Sequence, residues 1–166
     1  MKQKEKIIIV NKNDEIIDYK ERGTLDKEDV YRVSALWGTN SKSEVLLAQR
    51  SFNKKNHPRI WGPAVAGTND QGETYESNII KETYEEIGIK NIKPVFIKKV
   101  MRKGQYNHFT SWYTAKLDKE ISEFKIQEDE VAQIKWFSKK ELLNQIKQKP
   151  QNFLKSMNEF FLIDLI

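Results

Sequence analysis

Cysteine is absent from this chain, which removes disulfides, thiolate metal sites and cysteine nucleophiles from consideration. Long apolar runs are missing too, and none approaches the ~20 residues that a bilayer-spanning helix needs. The opening MKQKEKIIIV is charged and then only briefly apolar, too short for a signal-peptide core. No internal repeat, low-complexity tract or long linker divides the 166 residues, a length that suits one domain and is short for two. Long blocks of one charge sign are also lacking. The net charge of +5 is carried by lysines that alternate with acidic residues, which speaks against a nucleic-acid-binding arm. A soluble, cytoplasmic protein without a membrane or a stable nucleic-acid partner is expected.

What is present is a globular composition, 38% hydrophobic with 11% aromatic residues. Residues 7–10 and 15–19 flank the turn signal NKND and predict an N-terminal hairpin, about residues 5–20. Residues 30–38 and 44–49, separated by TNSKS, predict a second. Residues 94–101 and 109–117 read as strands joined by RKGQYN, and 131–137 as another. The stretch from Ser51 to Pro63 looks irregular, with Pro58 and Pro63 as breakers. Ser138 reads as the N-cap of a helix over 139–148, and a final amphipathic helix is predicted over about 152–166.

The chemistry concentrates in GTNDQGETYESNIIKETYEEIGI, from Gly67 to Ile89. Tyr75, Ile79, Ile80, Thr83, Tyr84 and Ile87 have helical spacing, and Gly88 can close such a helix in a left-handed conformation. Glu82, Glu85 and Glu86 are then i, i+3 and i+4 and share one face. Crowded carboxylates gain nothing unless something positive arrives, and hard divalent cations such as Mg²⁺ take oxygen ligands of this kind. Gly67 permits a tight loop before the helix, and Glu73 lies within reach of Lys81 for a buttressing ion pair.

This arrangement resembles the Nudix box, whose pattern is G, five residues, E, seven residues, then R-E-U-x-E-E-x-G-U with U aliphatic. Gly67, Glu73, Lys81, Glu82, Thr83, Glu85, Glu86, Gly88 and Ile89 fill it. Lys81 replaces the arginine, keeping the charge but losing its bidentate fork, and Thr83 replaces an aliphatic residue. The resemblance implies an α/β (α+β) fold with a mixed sheet sandwiched between helices. It implies Mg²⁺ or Mn²⁺, held by Glu82, Glu85, Glu86 and the carbonyl of Ala66, and hydrolysis of a small-molecule diphosphate, commonly a nucleotide derivative. It also implies a proton-accepting carboxylate, for which Glu85 and Glu130 are the candidates, Glu130 standing equally as an extra metal ligand.

A second stretch, LLAQRSFNKKNHPRIWGPAVAG, is similar to the segment before the box in type I isopentenyl-diphosphate isomerases and related hydrolases. Arg50, Lys54, Pro58, Trp61 and Gly67 fill that pattern, with Arg59 where glycine is usual. In the isomerases the matching basic pair binds diphosphate, which makes Arg50 and Lys54 clamp candidates. Isomerases use a cysteine before the box glycine, where this chain has Ala66. Their strand carboxylates fall near Asn107 and Phe109, so the hydrolase reading is preferred. An isomerase-like enzyme and a non-catalytic nucleotide-binding domain stand as alternatives. His108 and the four tryptophans read more simply as structural than as ligand contacts. Residues 1–166 are expected to form one domain, with the oligomeric state open and a homodimer among the options.

Overall fold

The computed structural model describes residues 5–158 and 164–165. The first strands are β1 (Lys6–Val10), β2 (Ile16–Glu21), β3 (Val30–Thr39), β4 (Glu44–Arg50), β5 (Trp61–Pro63) and β6 (Val65–Thr68). Helix α1 (Tyr75–Ile87) follows, then β7 (Val95–Arg102), β8 (Asn107–Lys116), β9 (Val131–Ser138) and α2 (Lys139–Gln148).

All nine strands belong to one mixed sheet whose axis is β3. One edge of β3 runs parallel to β8, Val30 opposite Asn107 through Thr39 opposite Lys116. Its other edge is shared in turn by β1 at Val30 and Tyr31, β6 from Val33 to Leu36, and β4 at Gly38 and Thr39. Beyond that contact β4 diverges and pairs with β5 and β9. The chain crosses the resulting split between β5 and β6 in a single step at Ala64, which is fully buried.

Strands β3 and β4 are covered on both faces because alternate residues point to opposite sides. Leu36, Leu46 and Ala48 pack with Ile79 and Ile87 of α1. Ala35, Trp37, Val45 and Leu47 face the other way, into a cluster with Trp112, Phe137, Leu142 of α2, Phe153 and Met157. The sheet therefore lies between the helices, as the resemblance implies. Trp37 and Trp112 are core residues at 0% and 1% exposure. No helix among the described residues is long and apolar enough to cross a membrane.

Two expectations need correction. Trp61–Pro63, at the end of the stretch where breakers suggested irregular chain, form the short strand β5. Pro63 is tolerated because β5 is a three-residue edge strand, where a missing N–H costs least. The helix expected over 152–166 does not begin as one. Pro150–Asn152 and Lys155–Asn158 are 3-10 turns, and Phe153 between them bridges to Trp61. The Leu154 N–H donates to the Trp61 carbonyl at 2.8 Å, and burial of Phe153 and Met157 favours this anchored path over helical propensity. Apart from 164–165, the remainder of that segment lies outside the described residues.

Candidate active site

Helix α1 starts where Thr74 caps it, accepting from the Ser77 N–H while Ser77 Oγ accepts from the Thr74 N–H. It ends at Gly88 with φ 74°, whose N–H donates to the Tyr84 carbonyl. Between these caps Glu82 lies against Gly67 of β6 and Glu86 accepts from the Ala66 N–H. Glu85 is exposed, Glu82 is partly buried and Glu86 is buried at 8% exposure.

Gly67 sits inside β6 and not in a tight loop, so its role differs from the one expected. A Cβ there would lie 2.4 Å from Glu82 Cδ; the missing side chain lets the glutamate lie against the strand. Gly67→Ala is therefore expected to displace Glu82, with little effect on stability because a flexible side chain can yield. At a reacting centre a misplacement of about 1 Å costs on the order of 10²-fold in rate. Steady-state kinetics beside a thermal melt would check this, and wild-type turnover in the variant would contradict it.

Lys81 performs the predicted buttressing, with Nζ 2.5 Å from Glu73 Oε1. It also lies 3.5 Å from Glu82 and 3.6 Å from Asp70. Burial pushes the Glu73 carboxyl up, but Lys81, the Asp70 N–H and Asn78 together hold it below the usual range. Asn78, which the sequence reading passed over, is fully buried. Its Nδ2 reaches Glu73 at 2.8 Å, Thr68 O at 3.2 Å and Glu82 Oε1 at 3.3 Å. It sits one turn before Glu82, a position from which its amide orients that carboxylate.

The last carbonyls of a helix need external partners, and the segment before β9 supplies them. The Lys125 N–H donates to Ile87 O at 3.1 Å and the Gln127 N–H to Glu86 O at 2.9 Å. This docking brings the following turn, which ends at Glu130, beside Glu86. The Ser51 N–H then donates to Glu130 O at 2.9 Å, and the Lys54 N–H to Ser51 O at 3.2 Å, so the loop after β4 is hooked to the same turn. The Lys54 ammonium contacts the Glu130 carboxylate. Lys54 is thus brought to the carboxylates. Arg50 instead braces its own loop, Nε donating to Asn56 O at 3.1 Å, and among the described residues it pairs with no carboxylate.

Burial, then the neighbouring charges of Glu82 and Glu130, push the Glu86 carboxyl up to about 8; the Ala66 N–H and Lys54 oppose this. In an extended strand the carbonyl of a residue leaves on the same side as its N–H, so Ala66 O also faces the glutamates. Glu82 is likewise raised, by burial first, with Glu85 adding and Lys81 opposing. A carboxyl raised on folding favours the native state while it stays protonated and penalises it once ionised. Stability of the metal-free protein is therefore expected to fall as pH rises from about 4.5 to about 8. Denaturant titrations in a chelating buffer would measure this, and a flat profile through that window would contradict it.

Whether these residues suit a divalent cation can be judged from their present partners. Among the described residues no three carboxylate or imidazole groups converge on one point. Each acid is engaged separately: Glu82 by Asn78 and Lys81, Glu86 by the Ala66 N–H, Glu130 by Lys54. The donor set still fits, because hard oxygen atoms surround a buried Glu86 that lacks a strong counter-charge. His108 does not join them. Its Nδ1 lies 3.0 Å from Thr110 Oγ1 and its ring packs on Tyr31.

The NUDIX domain family model matches residues 30–157 of the chain. An isopentenyl-diphosphate Δ-isomerase of Klebsiella pneumoniae is 28% identical over 124 residues, 70% of this chain and 66% of that protein. An uncharacterized Nudix hydrolase of Listeria monocytogenes is 30% identical over 108 residues, 62% of this chain and 60% of that protein. The chain thus spans no more than about two thirds of the length of these curated relatives. A Deinococcus radiodurans protein of known crystal structure superposes with a TM-score of 0.77 at 21% identity, covering 94% of this chain and 96% of that one.

Proposed function

The chain belongs to the NUDIX domain family, and from that premise we propose that it is a Mg²⁺- or Mn²⁺-dependent hydrolase of small-molecule diphosphates. The substrate class is a nucleoside diphosphate derivative or a related compound. The observation that carries this reading is the buried Glu86 carboxyl, flanked by Glu82 and Glu130 and raised by its burial first and then by their charges. A cluster that repels itself is costly to fold and is compensated when a cation binds.

A divalent cation at this site supplies Lewis-acid polarisation of a phosphate oxygen and makes a bound water acidic. Glu82, Glu85, Glu86 and the Ala66 carbonyl are the groups that would hold it, with Glu130 available as a further carboxylate ligand. Glu130, beside Glu86, and Glu85, exposed on the same helix, are the two carboxylates available to take the proton of an attacking water. Lys54, with Arg50 on the preceding strand, is available to neutralise the phosphate charge that the carboxylate side does not cover. Asn78 and Lys81 keep Glu82 oriented.

The isomerase reading lacks its acid. Ala66 stands where the cysteine belongs, and the strand positions expected to hold carboxylates carry Asn107, bonded to Lys27 O, and the buried Phe109. A panel of nucleoside diphosphate derivatives with isopentenyl diphosphate, incubated with Mg²⁺ or Mn²⁺, tests the proposal. Release of phosphate or nucleoside monophosphate is expected. Double-bond migration would establish the isomerase instead, and nucleotide binding without turnover would indicate a sensor.

A further inference from the structure

Lys54 occupies an unusual place, because its ammonium rests on Glu130 while its charge also acts on Glu86. We propose that Lys54 is an exchangeable internal counter-ion, holding Glu130 in the metal-free protein and surrendering it to an arriving divalent cation. The freed ammonium then turns to the substrate's phosphates. This inference rests on the hydrolase reading above and adds to it a coupling between metal and substrate.

The geometry supports such an exchange at both ends. The Lys54 and Glu130 side chains are 27% and 36% exposed, so the pair sits at the rim of the site, where breaking it costs little. The backbone contact from the Ser51 N–H to Glu130 O keeps the loop docked whatever the side chain does. Only the flexible four-carbon stem of the lysine has to move. An ammonium and a divalent cation cannot both sit against Glu130 and Glu86 without repelling each other. Metal binding must therefore displace the lysine, and a phosphate that captures the lysine must favour the metal. By reciprocity each ligand strengthens the other by the same factor.

Calorimetric titration of Mn²⁺ into the metal-free protein without substrate tests this independently of turnover. Lys54→Met and Lys54→Gln remove the competing charge and are expected to tighten Mn²⁺ binding by about two- to fivefold, the worth of a rim-exposed pair that no longer has to break. Lys54→Arg keeps the charge and should stay near wild type, while Glu130→Gln should weaken binding. A lysine that served only structure would lower the melting temperature when removed and leave Mn²⁺ affinity unchanged. Unchanged or weaker affinity in both neutral variants overturns the exchange and leaves the hydrolase reading standing. If the wild type itself fails to bind Mn²⁺, the metal site and the exchange fall together.

Discussion

Replacing Glu86 by glutamine is expected to lower turnover on the order of 10³-fold and, in metal-free buffer at pH 8, to make the protein more stable. The rate loss follows from removing one carboxylate of the proposed cation site. Metal-based charge stabilisation is worth several kcal/mol, and ~1.4 kcal/mol is a factor of ten in rate. The stability gain follows from the burial of Glu86, whose carboxyl titrates at about 8 beside Glu82 and Glu130. An amide of the same shape carries no charge to bury. Its oxygen can still accept from the Ala66 N–H, and its N–H₂ can donate to either neighbouring carboxylate. A shift of one pKa unit corresponds to ~1.4 kcal/mol, so the gain amounts to a few kcal/mol at most. A buried carboxylate kept for structure behaves oppositely, since neutralising it weakens charge-assisted hydrogen bonds. The check is kcat at saturating Mg²⁺ alongside urea unfolding in chelator at pH 8. Full activity, or a loss of stability, would remove Glu86 from the proposed site.

The largest loss of stability is expected from Asp14→Ala. Asp14 closes the β1–β2 turn at φ 63°, and its side chain is only 5% exposed. It accepts from Arg32 Nε at 2.7 Å, from Lys99 Nζ at 2.5 Å and from the Tyr75 hydroxyl at 3.0 Å. Its carbonyl takes Arg32 Nη2 at 2.6 Å. Burial and the charge of Asp14 together raise the Tyr75 phenol, so Tyr75 serves here as a donor. One acid thus ties the N-terminal hairpin to β3, to β7 and to the first residue of α1. Removing it strands the Arg32 guanidinium, 15% exposed, without its counter-charge. Breaking a buried pair in this way costs ~3–5 kcal/mol. Lys99, 40% exposed, contributes little to that figure because water screens it. Asp14→Asn keeps the shape and tolerates the left-handed turn, so it should lose distinctly less. Equilibrium denaturation of the two variants separates charge from shape, and a loss below ~1 kcal/mol for alanine would show that the cluster is dispensable.

Both results bear on how much of the site was legible in the sequence. The α1 glutamates could be read because a helix converts spacing into a face, and because Gly88 marks where that helix ends. Strands β3, β4, β8 and β9 were legible because β-branched and aromatic runs lie between clear turn signals. The partners of Glu82 and Glu130 were not. Asn78 looks like an ordinary polar helix residue until the close approach of β6 at Gly67 buries it. Lys54 meets Glu130, 76 residues away, only because the segment 125–130 caps the end of α1 through backbone bonds that carry no residue signature. Asp14 resembled any turn acid, since its three donors come from elements that only the folded sheet assembles. The path after Gln148 was misread for a similar reason. Phe153 and Met157 show helical spacing, but anchoring to Trp61 decides their conformation.

The parallel ladder between β3 and β8 has a consequence in time. Its residues are paired across 77 positions of chain, as with Trp37 and Thr114, so β3 cannot be completed by anything made soon after it. The N-terminal hairpin can form early from local contacts, whereas long-range parallel pairing is slow to nucleate. During synthesis at roughly 5–20 residues per second, β8 emerges several seconds after β3. Throughout that interval Ala35, Leu36 and Trp37, buried in the finished protein, lie on a strand with one unpaired edge. Such an edge is a template for pairing with another chain, so the nascent protein is most exposed to aggregation before Lys116 has left the ribosome.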